Sequence, residues 1–89
     1  MRAIITVVGK DMVGILAKVS GICAENNVNI IEVTQSIMQE LFRMIMMADT
    51  SGSSVPFTEL AEQLEQLGKD NGLVIHAMRE DLFNSMHRI

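Results

Sequence analysis

Two glycines, Gly9 and Gly14, enclose a polar segment between an apolar run and an apolar pattern of helical spacing. Their separation is that of a phosphate-binding loop, in which backbone N–H groups hold the phosphates of a nucleotide. Such a loop also needs lysine and then serine or threonine directly after the second glycine, to reach the phosphates and the magnesium ion. The chain has Ile15 and Leu16 there, so we do not predict a nucleotide site.

The residues that bind metals are too dispersed to predict a metal site. Cys23 stands alone, without the C-x-x-C pair typical of zinc sites. His76 and His87 are eleven positions apart, with no acidic pattern beside them. Three methionines could suggest a soft metal, but methionine more often fills irregular gaps in a core or an interface; they are Met44, Met46 and Met47. We predict neither a metal nor another cofactor.

The side chains do not predict catalysis either. A catalytic nucleophile needs a base, and the base needs an orienting group. The chain has two histidines and one cysteine, and the cysteine falls on the apolar side of a predicted helix. Three glutamates have the spacing of a solvated helix face instead of a converging pair; they are Glu59, Glu62 and Glu65. We therefore predict that the protein is not an enzyme.

Composition and charge narrow the classes of partner. The 89 residues are enough for one domain, and 48% of them are apolar, which favours an apolar surface reserved for a partner. The formal net charge of −4 gives no electrostatic footprint for nucleic acid or for an anionic membrane. One cysteine forms no internal disulfide, which favours the cytoplasm. We predict neither a membrane-spanning segment nor a secretory signal.

Apolar periodicity predicts four strands and three helices. Runs rich in β-branched residues predict strands at residues 3–8, 29–38, 41–48 and 73–79. Asp11 would cap the first helix, which Asn26–Asn27 would end. The apolar face of that helix would consist of Ile15, Leu16, Val19, Ile22 and Cys23. The second helix would begin near Pro56 and break at Gly68–Gly72, and Gln39–Glu40 would form a hairpin turn.

The element order β-α-β-β-α-β predicts an α+β, ferredoxin-like fold. Right-handed crossovers place both helices on one face of a four-stranded antiparallel sheet, with strand order 4-1-3-2 and the second strand on an edge. Residues 1–80 would form the domain, and residues 81–89 a short amphipathic helix. RNA binding on such a sheet needs exposed aromatic residues. Phe42 is the sole aromatic residue on a predicted strand, so we do not predict RNA binding.

The glycine loop resembles the signature of the ACT domain family. Residues 9–19, GKDMVGILAKV, are similar to that family's loop, Gly-x-Asp-x-x-Gly-Ile/Leu-Leu/Val. Residues 28–30, Val-Asn-Ile, resemble the start of its second strand, and the element order agrees over residues 3–79. The chain is most similar in style to small free-standing bacterial members, related to the glycine cleavage repressor. The resemblance implies a regulatory module that binds an amino acid between two paired domains.

The residues and the resemblance together predict a ligand site at this loop. Gly14 opens the first helix, where free N–H groups and the positive end of the helix dipole favour a carboxylate. The predicted site consists of Gly9, Asp11, Met12, Val13, Gly14, Ile15 and, from the neighbouring subunit, Asn29. The alternative is structural: the glycines permit a tight turn, Asp11 is only an N-cap, and Asn29 only shapes the turn before its strand.

We predict a homodimer because two helices can cover only one face of the sheet. The first and third predicted strands are apolar on both sides, and a large exposed apolar patch marks an interface. Residues 82–89 would cover part of the open face of their own sheet or of the partner's. Antiparallel pairing of the second strand with its copy would bring the partner's Asn29 to the glycine loop, giving two symmetric sites.

The predicted function is therefore that of a non-enzymatic regulatory subunit. It would bind a small amino acid at the dimer interface and act on a metabolic enzyme or regulator, and it would bind neither nucleic acid nor a membrane. The alternative is a dimeric protein-interaction module without a small-molecule ligand.

Overall fold

The computed structural model describes residues 1–10 and 14–86, which form one sheet and three helices. The strands are β1 (Arg2–Gly9), β2 (Asn29–Met38), β3 (Leu41–Asp49) and β4 (Val74–Arg79). The helices are α1 (Ile15–Glu25), α2 (Phe57–Asp70) and α3 (Glu80–Met86). This order confirms the predicted βαββαβ arrangement with a further C-terminal helix. Within the described ranges, each helix is too short or too polar to cross a membrane.

The sheet is antiparallel and has the order β2-β3-β1-β4, as predicted. β1 lies in the middle, where Ile5 is opposite Met46 of β3 and Ala77 of β4. β2 and β4 are the edge strands. A two-residue turn joins β2 to β3 at the predicted position, and its first residue, Gln39, has a φ of 57°.

The core lies between the sheet and the two helices α1 and α2. Alternate residues of β3 are buried in it: Phe42, Met44, Met46 and Ala48. The helices contribute Ile15, Val19 and Cys23 from α1 and Leu60 and Leu64 from α2. Met44 and Met46 have no exposed surface, so these two methionines fill the core, as predicted from the preference of methionine for irregular gaps.

The other face of the sheet is partly covered by α3. Ile4 alternates with the buried Ile5 and therefore points away from α1 and α2, yet only 4% of it is exposed. α3 contacts β1 and β4. The guanidinium of Arg2 donates two hydrogen bonds, of 2.8 and 3.1 Å, to the carboxylate of Glu80. The described part of the C-terminal segment thus packs on its own sheet; residues 87–89 lie outside the described residues.

α1 begins later than an N-cap at Asp11 requires, so that prediction is wrong. The N-cap is Gly14, which has a φ of 71° and forms no side-chain cap. Glycine adopts this left-handed conformation without the steric cost that a Cβ would add, and this backbone turn sets the start of the helix. At the other end Asn27 has a φ of 58°, so the predicted stop at Asn26–Asn27 is confirmed.

α2 runs through Gly68 instead of breaking there. It continues to Asp70, and the chain turns at Gly72, whose φ is 69°. Gly68 is buried, and a Cβ on it would lie 2.9 Å from the carbonyl oxygen of Leu73. The predicted break over Gly68–Gly72 is therefore confirmed, although Gly68 itself lies inside the helix and allows α2 to pack closely on the segment that leads into β4.

Candidate functional site

Gly9 ends β1 on the side of the sheet that faces the helices. It lies opposite Phe42, which is buried there. A Cβ on Gly9 would collide with the side chain of Leu73, which is itself buried. The group that comes close to Gly9 is therefore the side chain of Leu73 from the same chain. Gly9 is needed for this internal contact.

Gly14 differs from Gly9 because the space around it is open. It is exposed, and a Cβ built on it would meet no atom within 4 Å. Steric crowding therefore does not explain this glycine, whereas its φ of 71° does. Apart from the chain neighbours of Gly14, the described residues leave the space around this position open.

The first N–H groups of α1 lie beside Gly14. The first hydrogen bond of the helix runs from the N–H of Lys18 to the carbonyl oxygen of Gly14, at 3.0 Å. The N–H groups of Ile15, Leu16 and Ala17 have no acceptor among the described residues. Such donors and the positive end of the helix dipole favour a carboxylate. Ile15 can contribute only its N–H, because its side chain is buried in the core.

Three predicted site residues, Asp11, Met12 and Val13, lie outside the described residues. Lys10 precedes them and is exposed. Its ammonium adds positive charge to the end of the domain at which α1 begins, which favours an anionic group in the same way as the helix dipole does.

Within one subunit, Asn29 lies at the end of the sheet opposite to Gly9 and the start of α1. It opens β2 and is exposed, and its partner on β3 is Asp49. Gly9 is level with the other end of β2, because Phe42 of β3 pairs both with Gly9 and with Ile37. One chain therefore does not bring Asn29 and the glycine loop together, and a shared site needs a second copy.

β2 is an exposed edge strand that carries four large apolar side chains. It pairs only with β3, and nine of its ten residues are exposed. Its register shifts between Ile30 and Glu32, which leaves Ile31 as an extra residue. The hairpin of β2 and β3 carries six large exposed apolar side chains: Ile31, Val33, Ile37, Met38, Leu41 and Ile45. A long exposed edge with several apolar side chains tends to pair with another strand.

Leu16 is a residue whose place the sequence pattern predicted wrongly. It was assigned to the buried face of α1 but is 40% exposed. Leu16 lies about 100° around the helix from the buried Ile15, at the margin of the apolar stripe. Periodicity identifies the stripe, but it does not show how far the neighbouring strand extends beneath its margin.

The described residues do not form a metal or nucleophile centre. No group of three or more histidine, cysteine, aspartate or glutamate side chains lies close enough to hold a metal ion in residues 1–10 and 14–86. Burial raises the pKa of the Cys23 thiol, which disfavours the reactive thiolate. His76 is 3.9 Å from the carboxylate of Glu65, and both side chains are largely exposed; His87 lies outside the described residues.

A groove of about 600 Å³ lies between α1 and α2 and is acidic. Its charged lining residues are all carboxylates: Glu25, Glu59, Glu62 and Asp70. Carboxylates repel the carboxylate of a ligand. The N-terminus of α1 is therefore a better candidate than this groove for binding a free amino acid.

Residues 2–78 match a sequence model of the ACT domain. The chain belongs to the ACT domain family. This ACT domain protein is 52% identical, over 89 residues that span both whole chains, to a UPF0237 protein of Clostridium perfringens. The predicted family is thereby confirmed.

Two solved structures also resemble this structure. An ACT domain protein from Streptococcus pneumoniae has a TM-score of 0.81 and 37% identity, over 93% of each chain. A candidate transcriptional repressor of the glycine cleavage system has a TM-score of 0.70 and 26% identity, over 85% of this chain and 43% of the other. The ferredoxin-like fold predicted from the element order is thus confirmed, and it is the fold that the resemblance to the ACT domain implies.

Proposed function

We propose that this ACT domain protein is a non-enzymatic regulatory subunit that binds a small amino acid at the interface of a homodimer. The observation that carries the proposal is the exposed edge of β2, which carries four large apolar side chains and has no partner strand on its outer side among the described residues. Isologous pairing of this edge covers the exposed side chains and places one subunit beside the glycine loop of the other. A metabolic enzyme or regulator in the reducing cytoplasm would sense the bound state.

The two-fold axis of such a dimer passes near the middle of β2. Antiparallel pairing then sets Asn29 of the partner subunit beside the end of β2 that contains Ile37. This is the end that is level with Gly9 and the start of α1. Each dimer therefore has two equivalent sites, one at each end of the paired strands.

In this site the ligand's carboxylate binds the backbone from Met12 to Ile15. The carboxylate of Asp11 binds the ligand's ammonium, and the amide of the partner's Asn29 bonds either group. The free N–H groups of α1 and the open space at Gly14 support this assignment. The side chain of Asn29 alternates with the half-buried Ile30, so it approaches the ligand around the end of the sheet. We therefore assign it a smaller share of the binding than the loop.

A second function, a dimeric protein-interaction module without a ligand, rests on the same exposed edge of β2. This second function does not involve the N–H groups at the start of α1. A thermal-shift screen with the twenty free amino acids separates the two functions. A ligand at about 100 times its dissociation constant adds about 2.7 kcal/mol to the free energy of unfolding, which the screen detects, whereas the interaction module responds to none of the amino acids.

Gly14→Asp is expected to abolish the binding of the amino acid that the screen identifies. Aspartate tolerates the left-handed backbone and favours a helix N-terminus, so the fold survives. Its carboxylate, however, repels the ligand's carboxylate, and we expect the dissociation constant to rise at least about a hundredfold. The measurement is calorimetric titration.

Gly14→Asn is the matched control, because asparagine has the same shape without the charge. It is expected to lose far less affinity than Gly14→Asp. Equal affinity of wild type and Gly14→Asp for the identified amino acid would show that the ligand binds elsewhere.

A further inference from the structure

The side of α1 that faces α2 is fixed by two contacts. Lys18 donates a hydrogen bond of 2.8 Å to the side chain of Asn71, which follows α2. Ile22 lines the groove between the helices together with Leu67 of α2. Leu16 precedes Lys18 by two residues, so it lies about 160° away around the helix. It therefore points to the other side of α1, the side on which α1 contacts β2.

Two side chains of β2 lie on the side of the sheet that faces α1, next to the side of α1 that contains Leu16. Val33 is opposite Met46, and Ile37 is opposite Phe42. Both partners are buried under the helices, and residues that are opposite in an antiparallel pair point to the same face. Val33 and Ile37 thus lie on the helix side of the sheet, yet they remain 36% and 63% exposed, because α1 does not extend over the edge.

Leu16, Val33 and Ile37 therefore define an apolar trough between α1 and the edge of β2. Gln35 is the one remaining residue on this face of β2 between Val33 and Ile37, and it is uncharged. The trough reaches the end of the sheet that holds Gly9, because Ile37 is level with Gly9 through Phe42. It leads directly to the free N–H groups at the start of α1.

We infer that the amino acid bound by this protein has an aliphatic side chain, and that Leu16 and Ile37 determine this specificity. The inference rests on the proposed function, since the backbone at the start of α1 must hold the ligand's carboxylate. A ligand anchored there directs its side chain into the trough, which pairing of two β2 strands closes against water. A charge in this space has no opposite charge on Leu16, Val33, Gln35 or Ile37, and a hydroxyl has only the amide of Gln35 as a partner on this face of β2, whereas methyl groups gain by leaving water.

The test is calorimetric titration of the full-length protein with L-leucine, L-isoleucine, L-serine and L-aspartate. We expect wild type to bind the better of the two aliphatic amino acids at least about tenfold more tightly than serine. Ile37→Thr, which keeps a β-branched side chain on the strand, is expected to reduce this preference to about threefold or less. Val74→Thr is the matched control, because Val74 is an exposed valine on the other edge strand, and it should leave the preference unchanged.

Leu16→Ala is the second variant, because Leu16 is outside the strand pairing and alanine suits a helix. It should reduce the preference even if Ile37→Thr weakens the dimer, which sedimentation would show. If serine bound as tightly as the better of the two aliphatic amino acids, or if the preference were unchanged in Leu16→Ala, this inference would be overturned and the proposed function would stay intact. No binding of any of the twenty free amino acids would instead refute the proposed function itself.

Discussion

Replacement of Gly68 by alanine is expected to lower the free energy of unfolding by about 2 kcal/mol. The added Cβ would lie 2.9 Å from the carbonyl oxygen of Leu73 and 3.1 Å from the backbone nitrogen of Ile75. Both neighbours are backbone atoms, which cannot move aside as the end of a flexible side chain can. Relief therefore requires α2 to move away from β4, which separates Leu64 and Ile75 from full contact with the core. The measurement is urea denaturation followed by circular dichroism.

Gly21→Ala is the matched control, because Gly21 is also inside a helix but is exposed with open space around it. There the same substitution should raise the free energy of unfolding by about 0.5–1 kcal/mol, since alanine loses less backbone entropy than glycine in a helix. If Gly68→Ala were as stable as Gly21→Ala, the close packing of α2 on the segment leading into β4 would be wrong.

The double substitution Val33→Lys and Gln35→Lys is expected to dissociate the dimer. Both residues lie near the middle of β2 on the helix side of the sheet. Every antiparallel register that is centred at residue 33, 34 or 35 places a lysine opposite a lysine of the partner. Like charges directly opposite each other in an interface cost several kcal/mol, so the dissociation constant should rise at least about a hundredfold. Sedimentation equilibrium at micromolar concentration measures the change.

Two lysines on the other edge strand provide the control for this experiment. Val74 and His76 are exposed on β4, and Val74→Lys with His76→Lys adds similar charge without touching β2. This control should remain dimeric, and the β2 variant should be a folded monomer that no longer binds the amino acid. A dimeric β2 variant would place the interface on another surface.

The order of the elements and most of their bounds were predictable because most elements have a strong local signal. β2 is the best example: its predicted range, residues 29–38, is the observed one. It is a long run of residues that favour strands, between a left-handed asparagine and a two-residue turn. The antiparallel order followed from chain connectivity and handedness alone, and the structure confirms it.

The errors and omissions concern residues whose role depends on a neighbour from another element. A glycine near the end of a helical pattern resembles a helix stop, and only the position of Leu73 shows that Gly68 is needed for close packing. Asp11 has the right chemistry for an N-cap, but the backbone turn at Gly14 starts the helix later. The exposure of Leu16 depends on how far the sheet extends beneath α1, and the apolar periodicity of a helix does not predict that distance.

The positions of single residues of the candidate site were predictable, but how they combine into one site was not. The loop signature pointed to Gly9 and Gly14. Because β1 and β2 run in the same direction, Asn29 was expected at the other end of the sheet in the same subunit. The structure shows both positions. It adds that Gly9 is needed for the side chain of Leu73, whereas the space at Gly14 is open. A site shared between chains involves contacts that no single chain contains.

Mixing two defective variants tests most directly whether the site is shared. Gly14→Asp damages the loop, and Asn29→Ala removes the amide that the loop of the partner subunit uses, which should weaken binding about tenfold or more. In a mixed dimer one site has both defects and the other has neither. After equal mixing and exchange of subunits, calorimetric titration with the identified amino acid should find about a quarter of all sites at wild-type affinity. If the mixture contained no sites of wild-type affinity, the loop and Asn29 would not act together across the interface, and the account would be contradicted.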